Sequence, residues 1–411
     1  METEQVGVVI VGGGQAGLAM SYCLTRQDQQ HVVLEQARIA ESWRSRRWDS
    51  LCMIGPNWTF QLPGTQYQGA DPDGFMSKAE IVTCIEAYAA SFAAPVREGV
   101  RVTSVERKPV GTGFLVRTED VDYTAQQVVI ATGSLQRPYV PGCAAELPLA
   151  IAQVTPYSYR NPAALPDGAV LVVGSGQSGC QIAEELRQAG RPVYLSVSRS
   201  WGLPRRYRGH DMAVWFREVG WMAQRRDDLP PGARAGLPNA QLSGARGGHD
   251  LTLYTLARDG VVLLGRLRDI RGSKAVFAPD LAARLAWGDE QARCFLRSID
   301  DRIREKGLDA PEEGYPGCLV PPDEPIPAAP EDVDLAALGI STVVWATGYR
   351  PDLSWVHLPV LDAEGYPIHR RGVTSEPGLY FLGLDWLHTR GSGLFGGMSD
   401  DAVYLASVLR A

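Results

Sequence analysis

The chain has no CxxC pair and no Cys/His cluster; its seven cysteines, Cys23, Cys52, Cys84, Cys143, Cys180, Cys294 and Cys318, are scattered and odd in number. That pattern argues against a zinc site or a disulfide framework and points to reduced thiols in a reducing compartment. Positive charge is scarce as well, with 40 Lys and Arg against 47 Asp and Glu, a net charge of -7. A protein that binds nucleic acid normally needs the opposite balance, so no nucleic-acid partner is expected. No run reaches the ~18–20 apolar residues of a membrane span. The opening METEQVGVVIVGGG enters a strand within a few residues, with no basic and cleavable leader before it. A cytoplasmic protein without membrane contact is expected. The six histidines show no metal-ligand spacing, so no metal is expected either.

What is present is enough chain for about two domains, since 411 residues exceed the size at which one core keeps growing. GVVIV (7–11), a helix from about Gln15 to Arg26 and HVVLE (31–35) read as strand, glycine turn, helix, strand. AVLVV (169–173), a helix over about 177–188 and VYLSV (193–197) repeat that unit. Each copy is followed by an apolar strand ending in Ala-Thr-Gly, at Gly133 and at Gly348. The implied fold is α/β, with two Rossmann-like dinucleotide-binding domains, the second inserted in the first. The expected boundaries are 1–160 and 336–411 for the outer domain and 161–335 for the insert. Ser77 and Glu80 predict a capping box for a helix over 78–92. Residues 201–260 lack clear periodicity and read as substrate-specific structure or loop decoration, and 308–329 read as an exposed connection.

Gly12-Gly13-Gly14-Gln15-Ala16-Gly17 matches GxGxxG between an apolar strand and a helix, the context the motif requires. Gly12 permits the tight turn, Gly14 lets the backbone approach a diphosphate, and Gly17 lets helix and strand pack closely. Glu35 ends the second strand, where a carboxylate can bond the ribose hydroxyls of an adenosine. The second copy, Gly174-Ser175-Gly176-Gln177-Ser178-Gly179, has no acid at that station. Ser198 and Arg199 stand there, followed by Arg205, Arg206 and Arg208. Arginine pairs with a 2′-phosphate that a glutamate would repel, which favours NADPH, with NADH as the alternative and a solvated basic loop as the plain reading. Two such sites in one chain suit hydride transfer from a nicotinamide to a flavin.

With these motifs the chain resembles the class B flavin-dependent monooxygenases among the two-dinucleotide-binding-domain flavoproteins. The resemblance covers nearly the whole length, including SWRSRRWDSL (42–51), YRNP (159–162), HRRGVTSEPGLYFLGL and WLHTRGSGLFGG. It is closest to a bacterial branch that lacks the family's fingerprint histidine. The fingerprint FxGxxxHxxxY/W aligns with Leu149, Ile151, Thr155 and Tyr159, so only the tyrosine survives. The resemblance implies FAD held by Gly12, Gly14, Gln15, Ala16, Gly17, Glu35 and Gln36, with Trp43 and Arg44 on the flavin side and Ala131, Thr132 and Gly133 at a strand end nearby. It implies the nicotinamide nucleotide on Gly174, Gly176, Gln177, Ser178, Gly179, Ser198 and Arg199, with Thr347 and Gly348 at the second strand end. Ordinary packing accounts equally well for Trp43, Trp48, Trp58 and Phe60.

Asn57 is the candidate catalytic residue, against an equal reading as a cap or turn asparagine. His388 lies in the stretch that returns towards the flavin. The implied activity is oxygenation of a small N- or S-nucleophile by dioxygen through a C4a-(hydro)peroxyflavin. NAD(P)H oxidase or reductase activity, and nucleotide sensing without turnover, stand as alternatives. A homodimer is allowed.

Overall fold

In the computed structural model of the chain, residues 3–229, 240–324, 326 and 330–409 are described. Strand Thr3–Val11 runs between His31–Leu34 and Asp122–Ile130 and parallel to both. Its run Val8, Val9, Ile10, Val11 is buried, as a strand covered on both faces demands. Val96–Arg97 extends the sheet beyond His31–Leu34, and Leu379–Phe381 pairs with Asp122–Ile130 on the other side, both in parallel. The hairpin Val102–Arg107 and Phe114–Thr118 adds antiparallel strands. Helix Gln15–Thr25 buries Leu18, Ala19 and Met20 and packs on the last helix, Phe395–Leu409. The capping box at Ser77 and Glu80 forms, and it opens helix Lys78–Ser91.

A second sheet is wholly parallel, in the order Ala152–Val154, Ile340–Trp345, Ala169–Val173, Val193–Ser196, Val262–Leu264. The expected boundaries at 161 and 335 are therefore too narrow. Ala152–Val154 lies outside them on one side and Ile340–Trp345 on the other, yet both pair within this sheet. The apolar strand TVVW completes the inserted sheet in the way that QVVI completes the first. Where the chain crosses between the sheets, Arg137–Pro138 and Tyr349–Arg350 pair as an antiparallel ribbon.

The aperiodic stretch 201–260 proves to have a core of its own. Trp201, Leu203, Met212, Trp215 and Phe216 bury against Phe295 and Ile299 of the 26-residue helix Leu281–Lys306. Residues 230–239, which fall in that stretch, lie outside the described residues. The stretch 308–329, expected as an exposed connection, is tied down in part. Cys318 and Leu319 are buried, and the Thr252 hydroxyl donates to the Cys318 carbonyl at 2.7 Å; 325 and 327–329 lie outside the described residues. Among the described residues no helix is long and apolar enough to cross a membrane.

Candidate functional site

The first glycine motif has the shape that a diphosphate needs. Gly12 takes a φ of +112°, open to glycine at little cost. A Cβ on Gly17 would be driven into the Gly12 carbonyl oxygen, so only glycine lets this helix sit so close to its strand. A Cβ on Gly14 would meet nothing within 4 Å, which leaves room in front of the turn. Helix Gln15–Thr25 starts with no side-chain cap and no acid in its first turn. Its amino-terminal N–H groups and the positive end of its dipole are left for an anion.

Glu35 stands half-buried beside this turn. Its carboxylate accepts the Gly13 N–H at 2.7 Å and the Ala37 N–H at 2.9 Å, which fixes it next to the open space. Gln36 is exposed alongside, and buried Ala16 sits against the turn at Gly383. Trp43 donates its indole N–H to Gln15 at 3.3 Å and stacks on Phe395 at 6.1 Å between ring centroids, and Phe395 in turn contacts Phe60 at 4.6 Å. Trp48 is buried in the core of the second unit. Trp58 lies 5.0 Å beneath the Arg217 guanidinium. Arg44 ion-pairs with Glu86 of helix Lys78–Ser91.

Ala131 is buried and supplies the carbonyl that lines Gly12, and Thr132 and Gly133 follow at the same edge. Their neighbour Gln136 donates to the Thr132 hydroxyl at 2.7 Å and the Gly133 carbonyl at 2.6 Å. The same edge holds a residue that sequence reasoning passed over. Asp385 follows strand Leu379–Phe381, and its N–H donates to Ser134 at 3.1 Å. Asp385 is exposed at this edge, and partial desolvation by the surrounding protein raises its carboxyl above the usual carboxylate range. The signal was available, because a parallel strand beside Asp122–Ile130 must end at the edge where ligands gather.

The second motif repeats the construction. Gly174 has a φ of +103°, a Cβ on Gly179 would strike the Gly174 carbonyl, and Gly176 faces open space. Helix Gln177–Gln188 likewise begins uncapped, with Ser178 half-buried in its first turn. Gln177 is committed within the protein: its side chain donates to the Leu242 carbonyl and accepts the Leu242 N–H at 3.1 Å. Ser198 takes the station of Glu35 and accepts the Ser175 N–H at 3.3 Å. Next to it, exposed Arg199 lies over the Trp287 ring, 4.9 Å from its centroid. Trp287 was missed because the helix that carries it stands nearly ninety positions away in sequence.

The other arginines of that stretch are not free to receive a phosphate, with one exception. Arg205 is 2% exposed, bonded to Asp211 through two nitrogens and to the Ile54 carbonyl at 2.7 Å. Arg208 pairs with Asp300 at 3.0 Å. Arg206 is exposed. At the second strand end the Thr347 hydroxyl bonds the Tyr139 carbonyl and Gly348 accepts the Tyr139 N–H at 2.9 Å, so both help to hold the crossover ribbon.

Asn57 is 4% exposed and both ends of its amide are used by backbone: it donates to the Asp71 carbonyl at 2.9 Å and accepts the Met76 N–H at 2.6 Å. Thr155, at the fingerprint histidine's place, begins a turn in which its N–H donates to Ser158 at 3.1 Å. Tyr159 is buried and donates to Glu185 at 2.8 Å. His388 lines a basic cavity with Arg225, Arg226 and Arg371 whose lining includes neither glycine motif, and burial lowers its pKa. Among the described residues no group of acidic, His and Cys side chains could hold a metal ion.

Residues 9–208 match the family described as pyridine nucleotide-disulphide oxidoreductase. The chain is 34% identical over 403 residues to an uncharacterized oxidoreductase, CzcO-like, of Geobacillus kaustophilus, covering 97% of each. It is 30% identical over 207 residues to the indole-3-pyruvate monooxygenase YUCCA1 of Oryza sativa, covering 50% of this chain and 51% of that protein. Its fold is that of a flavin-containing monooxygenase from Stenotrophomonas maltophilia, with a TM-score of 0.66, 20% identity, and 99% and 98% of the two chains covered.

Proposed function

The chain belongs to the CzcO-like oxidoreductases, a flavin-dependent family of the monooxygenase type, and from this we propose that it oxygenates a small N- or S-nucleophile with FAD and NADPH. The balance is NADPH, a proton, dioxygen and substrate in, and NADP⁺, water and the oxygenated substrate out. The observation that carries the reading is the pair of glycine turns, each with an open middle glycine and an uncapped helix behind it.

Bound flavin and nicotinamide supply the redox chemistry. The chain's part is to bind, orient and exclude water. Gly12, Gly14, Ala16 and Gly17 would seat the FAD diphosphate on the first helix, with Glu35 towards the adenosine ribose. A ribose beside Glu35 favours FAD over FMN, which has no adenosine to place there. Gly174, Gly176, Ser178 and Gly179 would seat the NADPH diphosphate, with Ser198 and Arg199 towards the 2′-phosphate. Trp43, Phe60 and Phe395 would keep water from the flavin side. Asn57 we read as a brace rather than a catalytic group, since both ends of its amide are spent on backbone. A cytoplasmic location is part of the reading and rests on the scattered cysteines.

The test is incorporation of ¹⁸O from labelled dioxygen into products from a panel of amines and thioethers, with NADPH consumption followed in parallel. Label in a product upholds the reading. Hydrogen peroxide equal to the NADPH consumed, with no label transferred, replaces it with the oxidase reading, which Thr155 at the histidine's place favours.

A further inference from the structure

Outside both glycine motifs lies a cavity of about 540 Å³ where the 225–227 segment meets the returning chain at 369–371 and 387–388. Four arginines line it, Arg225, Arg226, Arg370 and Arg371, against one lining acid, Asp227. Two of the four are answered. Arg371 reaches Asp401 at 3.2 Å and covers the Tyr404 ring at 4.1 Å, and Arg225 stands 4.0 Å from Asp227. Among the described residues, Arg226 and Arg370 have no carboxylate partner.

The geometry at His369 goes further than the charge count. The Gly372 N–H donates to His369 Nδ1 at 3.2 Å, so Nδ1 is the acceptor and Nε2 carries the ring proton. Arg226 Nη1 lies 3.3 Å from that same Nε2. A guanidinium nitrogen has no lone pair to accept with, so two donors converge with no acceptor between them. Burial and the Arg226 charge lower His369 to about 4, so the ring faces Arg226 as a neutral donor near pH 7.

A pair of converging donors beside an unanswered arginine fits an oxyanion, whose oxygens accept from both at once. We propose that this cavity is a binding site for the phosphate or carboxylate group of a small molecule, held by Arg226, His369 and Arg370. Its two walls belong to different parts of the chain. The Arg226 N–H donates to the His388 carbonyl at 2.8 Å and Arg225 bridges to Thr389, and a bound anion would add a tie from the same segment to the 369–370 strand.

The experiment titrates the holoprotein, saturated with FAD and NADP⁺ so that both diphosphate sites are filled, with inorganic phosphate and separately with acetate. Chloride at equal ionic strength is the control, and melting temperature and binding heat are the readouts. Saturable stabilisation by at least one oxyanion is expected, weakened at least tenfold in Arg226→Gln and in Arg370→Gln and unchanged in Arg268→Gln, an exposed arginine elsewhere. The preferred anion then identifies the acidic group. If neither anion stabilises beyond chloride, or if both cavity variants bind like the parent, the site does not exist. Should Arg226→Gln fail to fold, Arg370→Gln, at an exposed sheet edge, decides alone.

Discussion

Glu35 and Ser198 occupy the same station in two copies of one motif: the N–H of the second motif residue donates to each, from Gly13 at 2.7 Å and from Ser175 at 3.3 Å. The backbone need is identical and the charge is not. A carboxylate there repels a 2′-phosphate, whereas a hydroxyl with Arg199 beside it leaves room for one. Ser198→Glu is therefore expected to lower kcat/KM for NADPH at least tenfold while leaving NADH within about threefold. Arg199→Ala removes a charge-assisted bond of about 1.5–3 kcal/mol, roughly ten- to a hundredfold for NADPH, again with little effect on NADH. Initial rates with both coenzymes check this, and equal losses with the two would show that neither residue meets the 2′-phosphate.

The two close helix contacts give a separable pair. In Gly17→Ala the added methyl group meets the Gly12 carbonyl, and the protein is expected to purify colourless. Gly179→Ala puts the same strain at Gly174. That variant should stay yellow, with anaerobic bleaching by NADPH slowed at least tenfold. Absorbance spectra before and after NADPH addition distinguish the cases, and a yellow Gly17→Ala protein would move FAD away from the first turn.

Asn57 gives a prediction in which stability and catalysis part company. Asn57→Ala leaves the Met76 N–H and the Asp71 carbonyl without their partner, at about 1–3 kcal/mol for each buried group. Melting temperature should fall, while kcat of the surviving holoenzyme stays within about twofold of the parent. A kcat loss of a hundredfold at unchanged stability would return Asn57 to a catalytic role.

His249 and Glu184 set a pH dependence. Nε2 lies 2.6 Å from the Glu184 carboxylate, and that bond raises the His249 pKa above its ordinary 6.5. A folded value above the unfolded one means that the stabilisation is fully present below about 6.5 and is lost as pH rises through the folded value. The melting-temperature gap between the parent and His249→Gln should accordingly be widest near pH 6 and close as the medium turns alkaline. A gap that widens with pH would show that the ring is neutral when folded.

The geometry of the glycine turns was legible because it is written in backbone constraints that fall within thirty residues of sequence. Gly12, Gly17, Glu35 and their counterparts sit where strand, turn and helix alone must put them. Asp385 and Trp287 were not, since each is brought to its place by sheet order or a distant helix that no local pattern encodes. Arg44 and Arg205 illustrate the converse. Residue type announces a cation, but only the fold reveals that Glu86 and Asp211 have already claimed them. The stretch 201–260 looked loose because its aromatic core is completed by Phe295 and Ile299, contributed from outside it.

Strand Ile340–Trp345, hydrogen-bonded on both flanks inside the all-parallel sheet, also fixes how the molecule can be dissected. A gene fragment cut at 161 and 335 would encode a sheet stripped of this inner member, exposing the edge of Ala169–Val173 and inviting aggregation. Excision for recombinant work, or transplantation of the insert into another host, has to carry residues 152–346 as one cassette.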